Sequence, residues 1–554
     1  MAIKSTEYHN IRPQGGWITF PFLACTMLGL GLSLGGATSN MIVYLIKEYN
    51  VESVDAAQIN NIVNGCVSLA PVAGAIISDV FFGCFPVVAF STVVNFLSLV
   101  LFILTATVPS LRPTPCTSEI DKCEHASASQ LAVLYFAVAL LSVGAGGSRF
   151  NMVSLGAAQF DRTEDQDSYF NWYFVILYVS AIIGSTLIVY VQDTVSWGLG
   201  YGLCAAAGAA SVVMLMCGMR YCRRPKAEGS PFTSLARVVV ASVRKRKAEM
   251  RKEGMGYYYG TGVAVKSQSP TQSFRFLNRA ALIAEGDTCV DGSITKPWSL
   301  CTVEAVEDLK SLLRIFPLWT TSCFLSISIG IQASLTILQA LTMDRAINRH
   351  FSIPTSSIIV SSLATVAVFL PVLDRVLIPM CQRLTNRTWT PLQRVGLGHA
   401  LNTLALVASA LVDRKRVGIV HAHHAEGQPA WIVPMSVIWL VLPLAMTGLG
   451  EAMHFPGQVS LYYQEFPKSL RSTATGVIAL IIAVGFYGST VVVALLRRHT
   501  GWLLDNVNGS RLDKVYWTLA VLGVVNTGYY VLCSTLYEYK KREYGTSEEE
   551  AVHT

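Results

Sequence analysis

Long stretches of this chain carry no charged side chain, and the points where charges return divide it into regular pieces. Twelve stretches of at least 18 residues lack Asp, Glu, Lys and Arg: 13–46, 56–78, 80–111, 125–148, 168–192, 194–219, 315–343, 350–373, 395–412, 427–450, 472–496 and 515–537. All are rich in Leu, Val, Ile, Ala and Phe. About 18 apolar residues suffice to cross a bilayer as a helix. A single stretch of this kind can be a buried core helix, but twelve leave little room for that reading. In hydrocarbon every backbone polar group must be bonded internally, so each stretch is predicted to be a helix.

Six stretches precede residue 220 and six follow residue 314, with one long polar segment between them. The division predicts an all-α membrane protein with twelve transmembrane helices in two six-helix bundles, the plan of the major facilitator fold. The expected parts are an N-terminal bundle (1–219), a cytoplasmic central loop (220–314), and a C-terminal bundle with a short tail (315–554). The first stretch is too long for the apolar core of a cleavable signal and should stay in the membrane. Composition agrees. Charged residues are 14% of the 554, hydrophobic residues 52%, and mean hydropathy is +0.45; a soluble domain carries roughly 25% charge. Disordered, collagen-like and disulfide-scaffold classes are excluded.

Placing both termini in the cytoplasm puts 30 of the 42 Lys and Arg on the inner side, 17 of them in the central loop. The net charge of +7 then reads as a topology signal, with attraction to anionic lipid as a further role for the loop and no need of a nucleic-acid partner. Arg414, Lys415 and Arg416 fall on the outer side against the trend. The apolar run Leu235 to Val243, followed by RKRK (Arg244 to Lys247), fits either an interfacial amphipathic helix or a soluble linker helix. Cys116 and Cys123 share an outer loop, a compartment that permits a disulfide without requiring one. Asn508-Gly509-Ser510 is a glycosylation sequon expected outside, and Asn386-Arg387-Thr388 one expected inside and unused.

Ionisable residues inside a membrane are expensive and mark functional sites by default. Arg149 stands in Gly144–Arg149, where the apolar pattern continues to Ala158. Glu451 stands in the apolar run Met446 to Tyr463. One is basic and in the first half, the other acidic and in the second, so the two are expected to pair across the bundles and gate a pathway. The alternative is local pairing or snorkelling near a helix end. Asp79 lies in a tight turn and fits a helix cap or a gate contact. Gln332 and Ser334 on the seventh helix could bind solute, although Ser and similar polar residues more often tie membrane helices together. His421, His423 and His424 have only Glu426 beside them, short of a metal site, and read as a solvated loop. No nucleotide-binding or zinc-protease signature occurs, so neither an enzyme nor an ATP-driven pump is expected. No metal or cofactor is expected.

Several long motifs resemble the proton-dependent oligopeptide transporter superfamily, and within it the plant nitrate/peptide transporter family. They are GAGGSRFNMVSLGAAQFD (Gly144 to Asp161), YFNWYF (Tyr169 to Phe174), CTVEAVEDLKSLLRIFPLW (Cys301 to Trp319) and GLGEAMHFPGQVSLYYQEFPKSLRSTATG (Gly448 to Gly476). The resemblance implies a twelve-helix carrier in which Arg149, standing where the family usually has Lys, pairs with Glu451. Arg keeps its charge when buried, so the basic partner here is a fixed cation.

The first helix departs from the family. Its Glu-x-x-Glu-Arg/Lys motif, linked to proton coupling, falls on Met27 to Gly31, where Met27, Leu30 and Gly31 replace the two acids and the base. A proton carrier needs a titratable group, and Glu451 is the remaining candidate. This loss, with GGWITFPF (Gly15 to Phe22), AAQINNIVNGC (Ala56 to Cys66) and SPFTSLARVVVASVRKRKA (Ser230 to Ala248), resembles the nitrate excretion transporter clade. The resemblance implies a monomeric plasma-membrane facilitator for low-affinity efflux of nitrate or a similar small anion, weakly coupled to protons or uncoupled; the vacuolar membrane is the second location. Loss of two acids with retention of Arg149 makes the pathway more positive, which suits an anion. The competing expectations are a proton-coupled carrier of a larger solute (a glycosylated metabolite, hormone or peptide) and a sensor with this fold but no turnover.

Overall fold

The computed structural model describes residues 15–114, 125–224, 231–246, 256–260, 270–284, 286–289, 293–349, 351–386, 389–465 and 473–537. Cys116 and Cys123 lie outside them. Among the described residues twelve helices are long and apolar enough to cross a membrane. The first six are Phe20–Thr38, Ser53–Ile77, Cys84–Thr107, Ala128–Ala157, Val175–Thr194 and Trp197–Gly218. The second six are Val303–Thr342, Thr355–Val372, Pro391–Ala422, Val437–Tyr462, Gly476–His499 and Leu512–Leu536. With twelve such helices the start of the first and the end of the last lie on one face, here called the terminal face; the opposite face is distal.

Within the first half the third span packs on the fourth and sixth, and the first on the fifth and sixth. The second half repeats this plan, with the ninth span packed on the tenth and twelfth. The halves meet along the second and eleventh spans and along the fifth and eighth. The glycine-rich motif sets the approach within the first half. A Cβ on Gly74 of the second span would lie 2.1 Å from the carbonyl oxygen of Gly146, and one on Gly147 would lie 1.7 Å from Ser91 Oγ. Only glycine lets these backbones touch, the usual device where lipid supplies no hydrophobic drive between helices.

The second and eighth spans, which correspond in the two halves, each end at the terminal face in a π-helical turn: Ser78–Phe82 and Leu373–Leu377. Asp79 is the second residue of the first of these turns. The cap reading is corrected here. The N-cap of the following helix is Gly83, and its positive φ of 78° makes the chain reversal that a capping Asp79 was expected to make. The Gln159-Phe160-Asp161 motif ends the fourth span. Gln159 Nε2 donates to the Arg223 carbonyl, Gln159 Oε1 accepts from the Arg223 amide at 2.7 Å, and Arg223 binds both oxygens of Asp161 at 2.6 and 3.0 Å. The fixed guanidinium holds the exposed Asp161 carboxyl below the usual carboxylate range.

The ninth span runs well beyond its charge-free stretch, to Ala422. Arg414 to Arg416 and His421 are therefore helical, not part of a loop. The helix tolerates its charges because they are partnered. Arg416 and Asp413 are both fully buried and bonded at 2.6 Å. Gln339 of the seventh span donates to the same Asp413 oxygen at 2.8 Å, and Tyr516 of the twelfth donates to Gln339 Oε1 at 3.1 Å. Lys415 lies 3.7 Å over the Trp439 ring. Two of the three cations that run against the charge bias are thus absorbed within the protein. The sequon at Asn508 is also used internally. Its side chain is buried and donates to the carbonyls of Gln428 and Trp431 at 2.9 Å, so its nitrogen is not free for a glycan.

Replacing Asp413 with Ala should leave the Arg416 charge buried without its partner and cost about 3–5 kcal/mol. The check is a thermal melt of the purified full-length protein. An unchanged melting temperature would show that Arg416 reaches solvent.

Candidate functional site

The geometry around Arg149 and Glu451 begins with where their helices put them. Arg149 lies eight residues before the end of the fourth span, at a depth of about 12 Å at helical rise. Its side chain is accessible, forms no ion pair among the described residues, and lies within electrostatic range of Tyr173. Glu451 stands near mid-depth of the tenth span and is half-buried. Tyr178 of the fifth span lies within electrostatic range of it across the bundles. Arg149 and Glu451 are not within the 4.0 Å of an ion pair. Both expected partners thus lie within spans and form no ion pair among the described residues.

Several hydrogen bonds and ion pairs join the two halves at mid-depth and on the distal side. Asn40 Oδ1 accepts from Ser356 at 2.8 Å, and Asn61 Oδ1 accepts from Ser334 at 2.8 Å. Ser357 donates to the Ser185 carbonyl at 2.8 Å. That carbonyl belongs to a π-helical turn, Gly184–Ile188, a local departure from α-helical bonding. Tyr487 donates to Cys66 Sγ at 3.1 Å, and Arg345 faces Asp193 at 3.5 Å. At the rim, Arg497 of the eleventh span binds Asp55 and Glu52 across the bundles, and Asp505 at 2.8 Å on its own side. The bond from Arg497 holds the Glu52 carboxyl below the ordinary carboxylate range, while burial pushes Asp505 up. These contacts tie the two halves together on the distal side.

The first span packs Met27, Leu30 and Gly31 closely against its neighbours. Met27 and Leu30 are buried, and Met27 Sδ accepts from Tyr169 at 3.8 Å. A Cβ on Gly31 would sit 2.1 Å from Ser180 Oγ. The fifth span therefore occupies the room that a basic side chain at position 31 would need. The span contains no ionisable residue at all except the Cys25 thiol.

Of the seventh-span candidates, Gln332 is buried with both ends of its amide bonded, to Ser409 of the ninth span and Thr447 of the tenth, each at 2.9 Å. These are helix-tying contacts within the second half. Ser334 is buried too, but its bond to Asn61 crosses between the halves. The side chain of Asp79 lies outside the described residues. Sequence reading passed over Asn61, Arg497 and Asn40, which are ordinary polar residues in pattern and gain a role only through cross-bundle contact. It also passed over His399 and His454, buried edge-to-face at 5.0 Å inside the second half. Among the described residues no cluster of His, Cys, Asp and Glu could hold a metal.

With this geometry in hand, likeness to known proteins is informative. The sequence profile described as "POT family" matches residues 85–508. The chain is 47% identical over 536 residues to Protein NRT1/ PTR FAMILY 2.7 of Arabidopsis thaliana, covering 97% of this chain and 95% of the relative. It is 44% identical over 541 residues to Protein NRT1/ PTR FAMILY 2.3 of the same plant, again covering 97% and 95%. Among solved structures, an auto-inhibited POT family peptide transporter superposes with a TM-score of 0.71 at 16% identity, covering 95% of this chain and 98% of that one. The POT family transporter PepTSo gives 0.69 at 16% identity, covering 94% and 98%. At such identity these two carry the fold alone. The chain therefore belongs to the POT family and is a multi-pass membrane transporter, not an enzyme, of the NRT1/PTR group.

Proposed function

We propose that this transporter moves a small anion, nitrate foremost, by alternating access, with little or no proton coupling and with its terminal face in the cytoplasm of the plasma membrane. The observation that carries the reading is Arg149, an accessible fixed cation inside the membrane without a counter-ion. A first span free of carboxylates adds to it, since nothing there offsets the positive charge. In this reading the sealed distal side makes the conformation inward-facing. Arg149 and Glu451 come together when the terminal-face side closes, and a bound anion competes with Glu451 for the guanidinium.

A second reading rests on Glu451, a carboxyl at mid-depth that no cation holds. A protonatable group there would suit a proton-coupled carrier of a larger solute, such as a glycosylated metabolite, hormone or peptide. Counterflow in liposomes with nitrate, chloride, dipeptides and glucosides, at several pH gradients, separates the two. Nitrate exchange that persists without a pH gradient supports the first reading. Collapse of that exchange, with glucoside or peptide uptake driven by the gradient, supports the second.

Arg149→Gln should lower nitrate flux about 10- to 100-fold, the worth of one charge-assisted hydrogen bond, with an unchanged melting temperature. Undiminished flux would remove Arg149 from the pathway. Arg497→Gln should loosen the distal seal. Labelling of an Asn61→Cys reporter by an impermeant maleimide from the distal side should then rise roughly two- to tenfold, because the partly exposed ion pairs at the rim are individually weak. Glu52 is held below the ordinary carboxylate range, so its share of the seal is intact above that range and weakens as pH falls below it. Relative to a free-thiol standard at each pH, labelling should be flat through neutral pH and rise only in acid.

A further inference from the structure

The central segment holds a site that the transport reading does not use. Its helix Pro231–Arg244 packs Val238 and Ala241 against Leu277, Ala281 and Val306, which joins it to the terminal-face extension of the seventh span. That face belongs to the protein core, as a linker helix would have it. The adjoining face is open: Val239 is 46% exposed and Val243 59%. Between this open face, Phe276 and the extension of the seventh span lies a cavity of about 490 Å3, within the range of sites that hold small organic ligands. Its walls are apolar, from Val239, Val243, Phe276, Leu309 and Leu313, and no acidic residue lines it.

Two arginines stand in this lining. Arg246 is exposed, and its guanidinium has no partner among the described residues. Arg279 uses one nitrogen on the Arg246 carbonyl at 2.5 Å, while its Nε is buried without an acceptor. A buried N–H left unbonded is costly, so the Arg279 guanidinium is not fully satisfied within the protein. The neighbouring Lys245 does not compete, since Asp287 neutralises it at 2.7 Å.

Depth identifies the occupant. Leu313 and Leu309 precede the charge-free stretch that starts at Ile315 by about 3 and 9 Å along the helix. Phe316, 55% exposed, and Trp319 stack at 5.5 Å just inside it, as an interfacial aromatic belt does. The cavity therefore sits at the level of lipid headgroups, with an apolar wall for a chain and two cationic donors for a phosphate. We propose that it binds one anionic phospholipid of the adjacent leaflet, with the phosphate on Arg246 and Arg279 and an acyl chain along Val243 and Phe276. The lipid anchors the central segment to the membrane beside the seventh span. A soluble phosphate would leave the apolar wall unused, and a zwitterionic lipid would leave the cations uncompensated.

The test uses the purified full-length protein in phosphatidylcholine nanodiscs, titrated with phosphatidylglycerol, with retained lipid counted by native mass spectrometry. One phosphatidylglycerol should be retained about 10- to 30-fold in preference to phosphatidylcholine, from two arginines near the surface. Arg246→Gln, at an exposed side chain, should cut this preference several-fold with an unchanged melting temperature in phosphatidylcholine. Val243→Asp should abolish it by placing a carboxylate in the groove. Glycerophosphoglycerol, the headgroup without chains, should not displace the lipid. Equal retention of the two lipids, a preference that survives both substitutions, or displacement by the free headgroup would each overturn the proposal.

Discussion

Inside a bilayer no water is present to bond a polar group, so each one must find its partner within the protein. Most of this molecule follows from that constraint. It makes the spans helical, and it makes glycine necessary where helices approach closely, as Gly74 does on Gly146. It also explains why the charges that do enter the spans come as closed sets. Asp413, Arg416, Gln339 and Tyr516 form one such set, drawn from three helices of one half.

Against this background the unpartnered charges stand out. Arg149 and Glu451 belong to opposite halves and are left open, while the distal side is tied by a series of cross-bundle contacts from Cys66 and Tyr487 out to Arg497. Polar groups that stay bonded in every state can be packing. Under the proposed alternating access, groups that lose and gain partners need a second arrangement, and that proposal assigns this role to these two. The serine and asparagine contacts at the seal are individually modest, about 0.6 kcal/mol for an average hydrogen bond between membrane helices. A seal made of such contacts can open without a large barrier, as alternating access needs.

Charge spacing located the twelve spans because the cost of an unpaired charge in lipid is large and local. The same rule failed where a charge found a partner. The ninth span continues through Arg416 because Asp413 lies one turn before it and Gln339 reaches across from the seventh span. In the tenth span Glu451 lies inside the helix, as its apolar flanks predict. For Gln332 and Ser334, two polar residues on one helix, the sequence offered no means of telling them apart. Their neighbours do: Ser409 and Thr447 lock the first within one half, whereas Asn61 draws the second across to the other.

By itself the sequence determined the twelve spans, their division into two sixes, the pair of intramembrane charges and the bare first span, since each depends on residue type and on distance along the chain. The tertiary structure alone decided which charges are neutralised, which polar residues seal the distal side, and that Arg149 and Glu451 stand apart. It alone placed Ser180 in the space that Gly31 leaves. It also brought Arg246, Arg279 and the seventh span around one groove. These are contacts between residues far apart in the chain, and their energies exist only once the helices are packed.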